Sequence, residues 1–403
     1  LLETTTDGRG EGGLSILARD PRAVIVVDRS RSLVTTAAGS RETCLDPVGA
    51  LRELLGAIPT GDGPDEGGVV GALAYDFARQ PRASEEGPLL VALAVDRLEV
   101  LDRGAAAEPR RAATLGARLD LPSWSNLTAF RHRELVLRLK EHIAAGDIYQ
   151  ANLSQRFRLP WPEGGLALYE SLRRVSPAPF SGYLRAGGVE IVSASPERLL
   201  KVEGGLISTR PIAGTRPRSN DAREDEALAA ELVLSEKERA EHLMLLDLAR
   251  NDLGRVAEVG SVHVDEMMGV ETYAQVRHIV SNVRARLAPG RDALDALLAL
   301  FPGGTITGVP KVRCMDILDE VEPVTRGFYT GSLFYVTPSG RLDANILIRS
   351  AVVRDGTVTF HTGSGIVADS DPAFEYAETL HKAEGMRAAL EGAMGSPRPR
   401  HGV

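Results

Sequence analysis

Apolar runs of strand length recur from one end of this chain to the other, and they constrain the fold more than any other feature. Ala23 to Val27 (AVIVV) and Leu89 to Val95 (LLVALAV) lie near the start. Ile148 to Leu159, Ile191 to Ser193 and Leu206 to Thr209 follow. Phe328 to Val336, Ile346 to Val353 and Thr357 to His361 close the series. Short runs of apolar and β-branched residues bounded by turn residues read as strands. The stretches between them, such as Thr60 to Gly68 (TGDGPDEGG), are loops by composition. The Arg- and Ala-rich segment 105–121 has no clear period and reads as a connector.

Helical patterns are fewer. Leu135, Val136, Leu139 and Ile143 fall on one face of a 3.6-period helix, with Gly146 placed to end it. The pattern predicts a helix from about Asp225 to Asp247, more helix over Ala274 to Leu287, and another over Ala293 to Leu300. A last helix starts at Asp371-Pro372, where Asp suits the N-cap and Pro the first turn, and runs to about Leu390. The terminal GSPRPRHGV reads as disordered. No internal repeat is visible.

Composition narrows the function. Cys44 and Cys314 are the only cysteines, so a disulfide scaffold and Cys-rich zinc or iron–sulfur sites are excluded, and a reducing cytoplasm is the expected compartment. The net charge of −8 disfavours non-specific nucleic-acid binding. No apolar run approaches the ~20 residues of a membrane span. The 403 residues suggest two or three domains by length alone. The first residue is Leu, so the start is expected to be trimmed and a targeting segment ahead of it stays open.

Two carboxylate pairs stand at helical spacing, Glu238 with Glu241 and Glu375 with Glu378. Each pair shares one helical face. Two such faces could hold a hard cation through a few oxygens and leave room for a substrate carboxylate. Solvated helix faces are the commoner meaning of such pairs. Pro302 to Gly308 (PGGTITG) and His361 to Gly365 (HTGSG) read as Gly-rich turns, where backbone N–H groups can approach an anion or simply reverse the chain. Neither matches a P-loop or a dinucleotide fingerprint. Arg349 ends the apolar run Ile346-Leu347-Ile348, so it must be paired or face a cavity. A lone His278 in an apolar stretch is more often a core residue than a catalyst.

The order of GDIYQANLSQRF, SASPERLL, TRPIAGTRPR, EKERAEHLMLLDLARNDLGRV, ETYAQVRHIVSNVR, FPGGTITGVPKVRCMDILDE, GFYTGSLFY, ANILIRS and GSGIVADSDPAFEYAETLHKA resembles the chorismate-utilising enzymes. The opening LLETTTDGRGEGGLSILARDPRAVI is similar to their N-terminal segment. Within the family the chain looks like the large, ammonia-using subunits. The resemblance implies an α+β fold with two packed sheets flanked by helices and poorly separable domains. An N-terminal region (1–121) would pack on a catalytic domain (122–392) ahead of a disordered tail (393–403).

The same resemblance implies the site. Glu241 and Glu378 match Mg²⁺ ligands, with Glu238 and Glu375 beside them. Glu238 would be the general acid. Arg349 and Tyr329 match residues that hold a chorismate carboxylate, and Gly363 and Gly365 match backbone donors. Thr305, His278 and Lys382 match active-site residues. Gln150 stands where water-using relatives carry a Lys, and a Gln cannot act as a base, which points to ammonia. Ala213 in PIAGT stands where a Lys nucleophile occurs in aminodeoxychorismate-forming relatives, which favours an anthranilate product. Four other segments look more like the aminodeoxychorismate side, so 4-amino-4-deoxychorismate is the first expectation. Anthranilate is the alternative, with an aminodeoxyisochorismate-type product behind it. Leu2, Glu3, Thr4, Pro179 and Phe180 fall where relatives line a tryptophan pocket, although the second segment departs from that pattern. No glutaminase setting surrounds either Cys, so a separate glutamine amidotransferase subunit is the expected partner.

Overall fold

The computed structural model describes residues 2–3, 14–28, 31–43, 46–60, 66–79, 87–102, 119–219, 221–272 and 276–394. Thr4, Cys44, most of the 105–121 connector and the 395–403 tail fall outside them.

The apolar runs become strands of two antiparallel sheets. One has nine strands in the order Gly308–Val309, Gln150–Pro160, Thr357–Ile366, Ser350–Arg354, Val189–Ser195, Phe180–Ala186, Leu2–Glu3, Leu14–Leu17 and Glu99–Asp102. The other has twelve. Its main path is Ile212–Pro217, Val276–Arg286, Leu206–Thr209, Arg198–Glu203, Leu342–Asn345, Ser332–Val336, Gly68–Leu73, Leu90–Val95, Ala23–Val27, Ser32–Thr36 and Gly39–Thr43; His263–Thr272 pairs beside Val276–Arg286. Early and late strands are thus interleaved in both sheets. Val70, Ala72, Val91 and Leu333 of the larger sheet pack with Leu184, Val189 and Ile191 of the smaller, which forms the buried layer between the sheets.

Eight α-helices lie among the described residues: α1 (Pro47–Gly56), α2 (Ala129–Ala144), α3 (Gly165–Val175), α4 (Ala222–Leu234), α5 (Glu236–Gly254), α6 (Ala293–Leu300), α7 (Lys311–Val321) and α8 (Pro372–Met394). α3 and α8 cover the nine-stranded sheet through Leu168, Leu172, Ala383 and Met386 against Val192, Val353 and Phe360. α1, α5 and α6 cover the twelve-stranded sheet. The start of α8 is as its sequence requires: Asp371 Oδ1 accepts from the Ala373 and Phe374 amides at 3.0 and 2.8 Å.

Five expectations are corrected. The helix expected over 225–247 is two helices, because Ser235 caps α5 by accepting from the Glu238 amide at 3.3 Å. Ser235-x-x-Glu238 is a capping-box spacing, and it was legible. The stretch 274–287, expected to be helical, holds the Val276–Arg286 strand. That strand pairs with three others and buries residues on both faces, so the period-2 signal is lost. HTGSG is no turn; it continues the Thr357–Ile366 strand. The expected strands at 328 and 346 begin later, at Ser332 and Ser350, because Phe328–Gly331 is a turn and Ile346–Arg349 crosses between the sheets. α8 also extends to Met394, so 393 and 394 are helical.

Candidate active site

Every catalytic, substrate-binding and metal position proposed from the sequence lines one cavity of about 550 Å³. Glu238 and Glu241 enter from α5, Glu375, Glu378 and Lys382 from α8. Gln150, Gly363 and Gly365 come from paired strands of the nine-stranded sheet. Ala213 and His278 come from paired strands of the other. Thr305 sits on the short Gly304–Ile306 turn, and Tyr329 and Arg349 on crossings between elements.

Local backbone explains these positions. The pairing of Ile212–Pro217 with Val276–Arg286 shifts register between Ala213 and Thr215. Gly214 occupies that irregularity with φ +69°, and a Cβ there would meet Glu238 Oε2 at 2.9 Å. Only glycine lets the chain turn there while α5 approaches. The Gly214 carbonyl then lies 3.2 Å from His278 Nδ1. A carbonyl only accepts, so Nδ1 carries the proton. Burial is the main cause holding the His278 pKa below its ordinary value, with Arg349 adding to it against the Gly214 bond.

Gly363 and Gly365 stand opposite Ser154 and Asn152. The Ser154 amide donates to Glu322 Oε1 at 2.9 Å and the Asn152 amide to the Thr307 carbonyl at 3.0 Å, so neither bonds across to the glycine strand. These are the non-bonded pairs of an antiparallel ladder, and the two glycines turn their backbone groups the other way. Lys382 Nζ donates to the Gly363 carbonyl at 3.1 Å on that side. A Cβ on Gly363 would meet Tyr329 Oη at 2.8 Å, and one on Gly365 would meet Gln150 Nε2 at 2.5 Å.

The carboxylates differ in their partners. Glu238 accepts from Arg216 Nη1 at 3.1 Å, Glu241 from Gln150 Nε2 at 3.1 Å, and Glu378 pairs with Lys382 at 2.6 Å. Glu375 is buried, and its Oε2 has no hydrogen-bond donor among the described residues. Among the described residues, no three His, Cys, Asp or Glu groups come together closely enough to cage an ion. Arg349 holds φ +50°, a strained value for a side-chain-bearing residue, and its guanidinium has no protein partner among the described residues. Its surroundings desolvate it and lower its pKa.

One residue was missed. Glu197, from SASPERLL, also lines the cavity and is buried. Burial pushes its pKa up to about 7, against a hydrogen bond from Thr305 Oγ1 at 2.8 Å. The signal was available: a Glu flanked by Pro196 and an apolar strand needs a reason to be there. The positions compared with a tryptophan pocket lie elsewhere. Leu2 and Glu3 pair with Gly182 and Ser181, and the Phe180 ring lies under the Arg198 guanidinium at 4.7 Å. Neither these nor Pro179 line the cavity.

Similarity to known proteins places the chain in a family. The family described as chorismate binding enzyme matches residues 3–388. Anthranilate synthase component 1 of Streptomyces coelicolor is 44% identical over 398 residues, covering 86% of this chain and 78% of that protein. Aminodeoxychorismate synthase component 1 of Bacillus subtilis is 38% identical over 435 residues, covering 97% of this chain and 91% of that one. The crystal structure of anthranilate synthase component I from Streptococcus pneumoniae superposes with a TM-score of 0.80 at 30% identity, covering 94% and 92% of the two chains. No helix among the described residues is long and apolar enough to cross a membrane. With residues 3–388 matched and close relatives spanning most of both chains, the chain belongs to the chorismate binding enzyme family, as a chorismate-utilising enzyme of the anthranilate and aminodeoxychorismate synthase component I type.

Proposed function

We propose that the chain aminates chorismate to 4-amino-4-deoxychorismate, with ammonia delivered by a separate glutamine amidotransferase subunit. The observation that carries the reading is one cavity that holds the Arg349 guanidinium, without a partner among the described residues, together with a buried carboxyl, Glu197, whose pKa burial pushes up to about 7. Chorismate is a dianion whose C4 hydroxyl is a poor leaving group. Arg349 offers a fork that matches one carboxylate. The outward amides of Gly363 and Gly365 and the Lys382 ammonium offer further positive ends for the same ligand.

Glu197 supplies the proton. The nitrogen of ammonia forms a bond to the ring, the C4–O bond breaks, and the oxygen takes the Glu197 proton and leaves as water. The added nitrogen sheds one proton, which balances the one Glu197 gave. Glu238, the general acid that the family resemblance implies, is paired with Arg216, whereas Glu197 has no cationic partner among its hydrogen bonds. Because no three acidic groups converge among the described residues, a magnesium ion would be held by one or two of the carboxylates and completed by substrate oxygens. Glu375 offers a buried oxygen without a donor, with Glu378 one turn away and Glu241 and Glu238 on the facing helix. When bound, it would neutralise substrate charge and help orient the ring.

Two features support ammonia over water or a covalent lysine. Gln150 is bonded to Glu241 and is no base. Ala213 puts only a methyl group into the wall. The sole cysteine among the described residues, Cys314, is buried, donates to the Gln150 carbonyl, and has its pKa pushed up to about 12. It is no glutaminase nucleophile, which supports a partner subunit.

A second reading is an anthranilate product. Ala213 and the 44% identical Streptomyces relative favour it. Product analysis decides. The chain with chorismate, Mg²⁺ and ammonium should yield a non-aromatic amine that gives p-aminobenzoate only after a lyase is added. Fluorescent anthranilate with pyruvate would establish the second reading. No chorismate consumption with ammonium, or turnover on glutamine without an added subunit, would overturn the proposal.

A further inference from the structure

We infer that Arg326 is a positioning residue for this cavity: its guanidinium does not line the cavity, yet it holds three of the cavity's walls in register. Arg326 is 2% exposed, and all five of its guanidinium N–H donors have acceptors. Nη1 donates to the Ile306 carbonyl at 3.0 Å and to Thr330 Oγ1 at 3.3 Å. Nη2 donates to the Asn152 carbonyl at 2.5 Å and to Glu322 Oε1 at 2.8 Å, and Nε donates to Glu322 Oε2 at 2.8 Å. The guanidinium also lies 4.7 Å from the Tyr75 ring centre and 5.7 Å from that of Tyr329.

The acceptors are distributed in a telling way. Ile306 follows Thr305 on the Gly304–Ile306 turn, and Asn152 lies two residues from Gln150. Tyr329 packs on the guanidinium and donates its amide to the Arg326 carbonyl at 3.1 Å. All five of these residues line the cavity. Glu322 extends the grip, because Oε1 also accepts from the Ser154 amide. Asn152 Nδ2 adds one bond between the strand and the turn, to the Ile306 carbonyl at 3.1 Å. A Lys could not reproduce the arrangement, since it is a point charge without the planar fork. A misplacement of about 1 Å in a catalytic wall costs roughly 100-fold in rate. Arg326 therefore acts on turnover through Thr305, Gln150 and Tyr329, without touching substrate.

The test uses two variants of the full chain, Arg326→Lys and Glu322→Gln. The second is isosteric but must turn an NH₂ towards a donor. Because turnover is the first readout, this inference rests on the proposed chorismate reaction. Amide hydrogen exchange is the independent readout. Expected for Arg326→Lys is a loss of roughly 100-fold in kcat/KM, and for Glu322→Gln roughly tenfold, with kcat falling more than KM rises. Exchange at the Asn152 and Ser154 amides should quicken roughly tenfold, while the Leu206–Thr209 strand stays protected. A folded Glu322→Gln protein with kcat and KM within about twofold of wild type, and unchanged exchange, would overturn the inference. Should Arg326→Lys fail to fold, Glu322→Gln decides alone. If the wild-type chain consumes no chorismate, the proposed function fails, and the exchange measurement still decides the clamp.

Discussion

Thr305 Oγ1 donates to Glu197 Oε1 at 2.8 Å, and this bond works against the burial that raises the Glu197 pKa. A proton donor must be protonated, so turnover should fall as pH rises through about 7. Glu197→Gln should lose roughly 100-fold or more in kcat and that limb of the profile with it. Thr305→Val removes the one influence lowering the pKa and should move the limb to higher pH. The linkage has the same sign. The folded pKa lies above the ordinary 4.5, so the stabilisation is full below 4.5 and is lost as pH rises through 7. Glu197→Gln should therefore gain in melting temperature relative to wild type above pH 7. A pH–rate profile unchanged by Thr305→Val would refute the assignment.

Glu375 makes a different prediction. A buried carboxylate with an oxygen lacking a donor costs stability unless a cation meets it. In chelator, Glu375→Gln should melt at or above the wild-type temperature. With added Mg²⁺ the wild type should gain and the variant should gain much less, because a ligand that binds only the folded state stabilises it by mass action. Titration calorimetry should show Mg²⁺ affinity down by roughly 10–100-fold. Equal Mg²⁺ stabilisation of the two proteins would remove Glu375 from the ion site.

Arg349 makes a third prediction. Its φ of +50° and its guanidinium, unpaired among the described residues, are both unfavourable in the protein alone. Arg349→Gly relieves the first and deletes the second. It should keep or raise the melting temperature while KM for chorismate rises roughly 100-fold. A strong loss of stability would instead make Arg349 structural.

The site was more legible than the strands that build it. Residue types such as Glu241, Arg349 and Lys382 carry chemistry that survives without coordinates, and the cavity gathers them. The Asp371 cap of α8 was legible because capping is local. The Val276–Arg286 strand was not, because a strand flanked on both sides and buried on both faces loses its alternation. Gly363 and Gly365 suggested a turn, but their need is the close approach of Tyr329 and Gln150 from other elements, which only tertiary structure reveals. Glu197 stands within SASPERLL and Arg326 between two of the motifs, and neither has a role that its sequence context assigns. Their importance lies in burial, which the apolar neighbours of Glu197 hint at and the sequence around Arg326 does not.

His132 lies fully buried on α2, its ring centre 5.4 Å from that of Tyr376, with neither ring nitrogen hydrogen-bonded among the described residues. Burial lowers its pKa to about 4 from 6.5. The unfolded chain then binds the extra proton first, so stability falls as pH drops from 6.5 towards 4. The full effect is on the order of 3 kcal/mol. His132→Leu should be as stable as wild type at pH 8 and progressively more stable below pH 6. Parallel acid denaturation curves for the two proteins would show that His132 does not set the acid limit.

The N-terminal strands should be inseparable from the site, despite the division at residue 121 that length and composition suggest. Gly68–Leu73 pairs along the whole of Ser332–Val336, and Leu90–Val95 follows it in the sheet. Glu66 accepts from Arg341, and Asp76 accepts from the amide of Gly327, the residue next to Arg326. Removing residues 1–121 would expose Leu184, Ile191, Leu333 and Phe334, which pack in cores shared with the lost strands. At ~1.5–3 kcal/mol per buried aliphatic or aromatic side chain, the loss is on the order of 10 kcal/mol. That is comparable with the whole stability of a typical domain, about 5–15 kcal/mol. The bare edge of Ser332–Val336 would also invite aggregation. Expressed alone, residues 122–392 should be insoluble or lack a cooperative melt, and co-expression with residues 1–121 should restore soluble protein. A monodisperse, chorismate-consuming 122–392 fragment would show that the two regions are true domains and that the interleaved sheets are a weaker bond than these contacts imply.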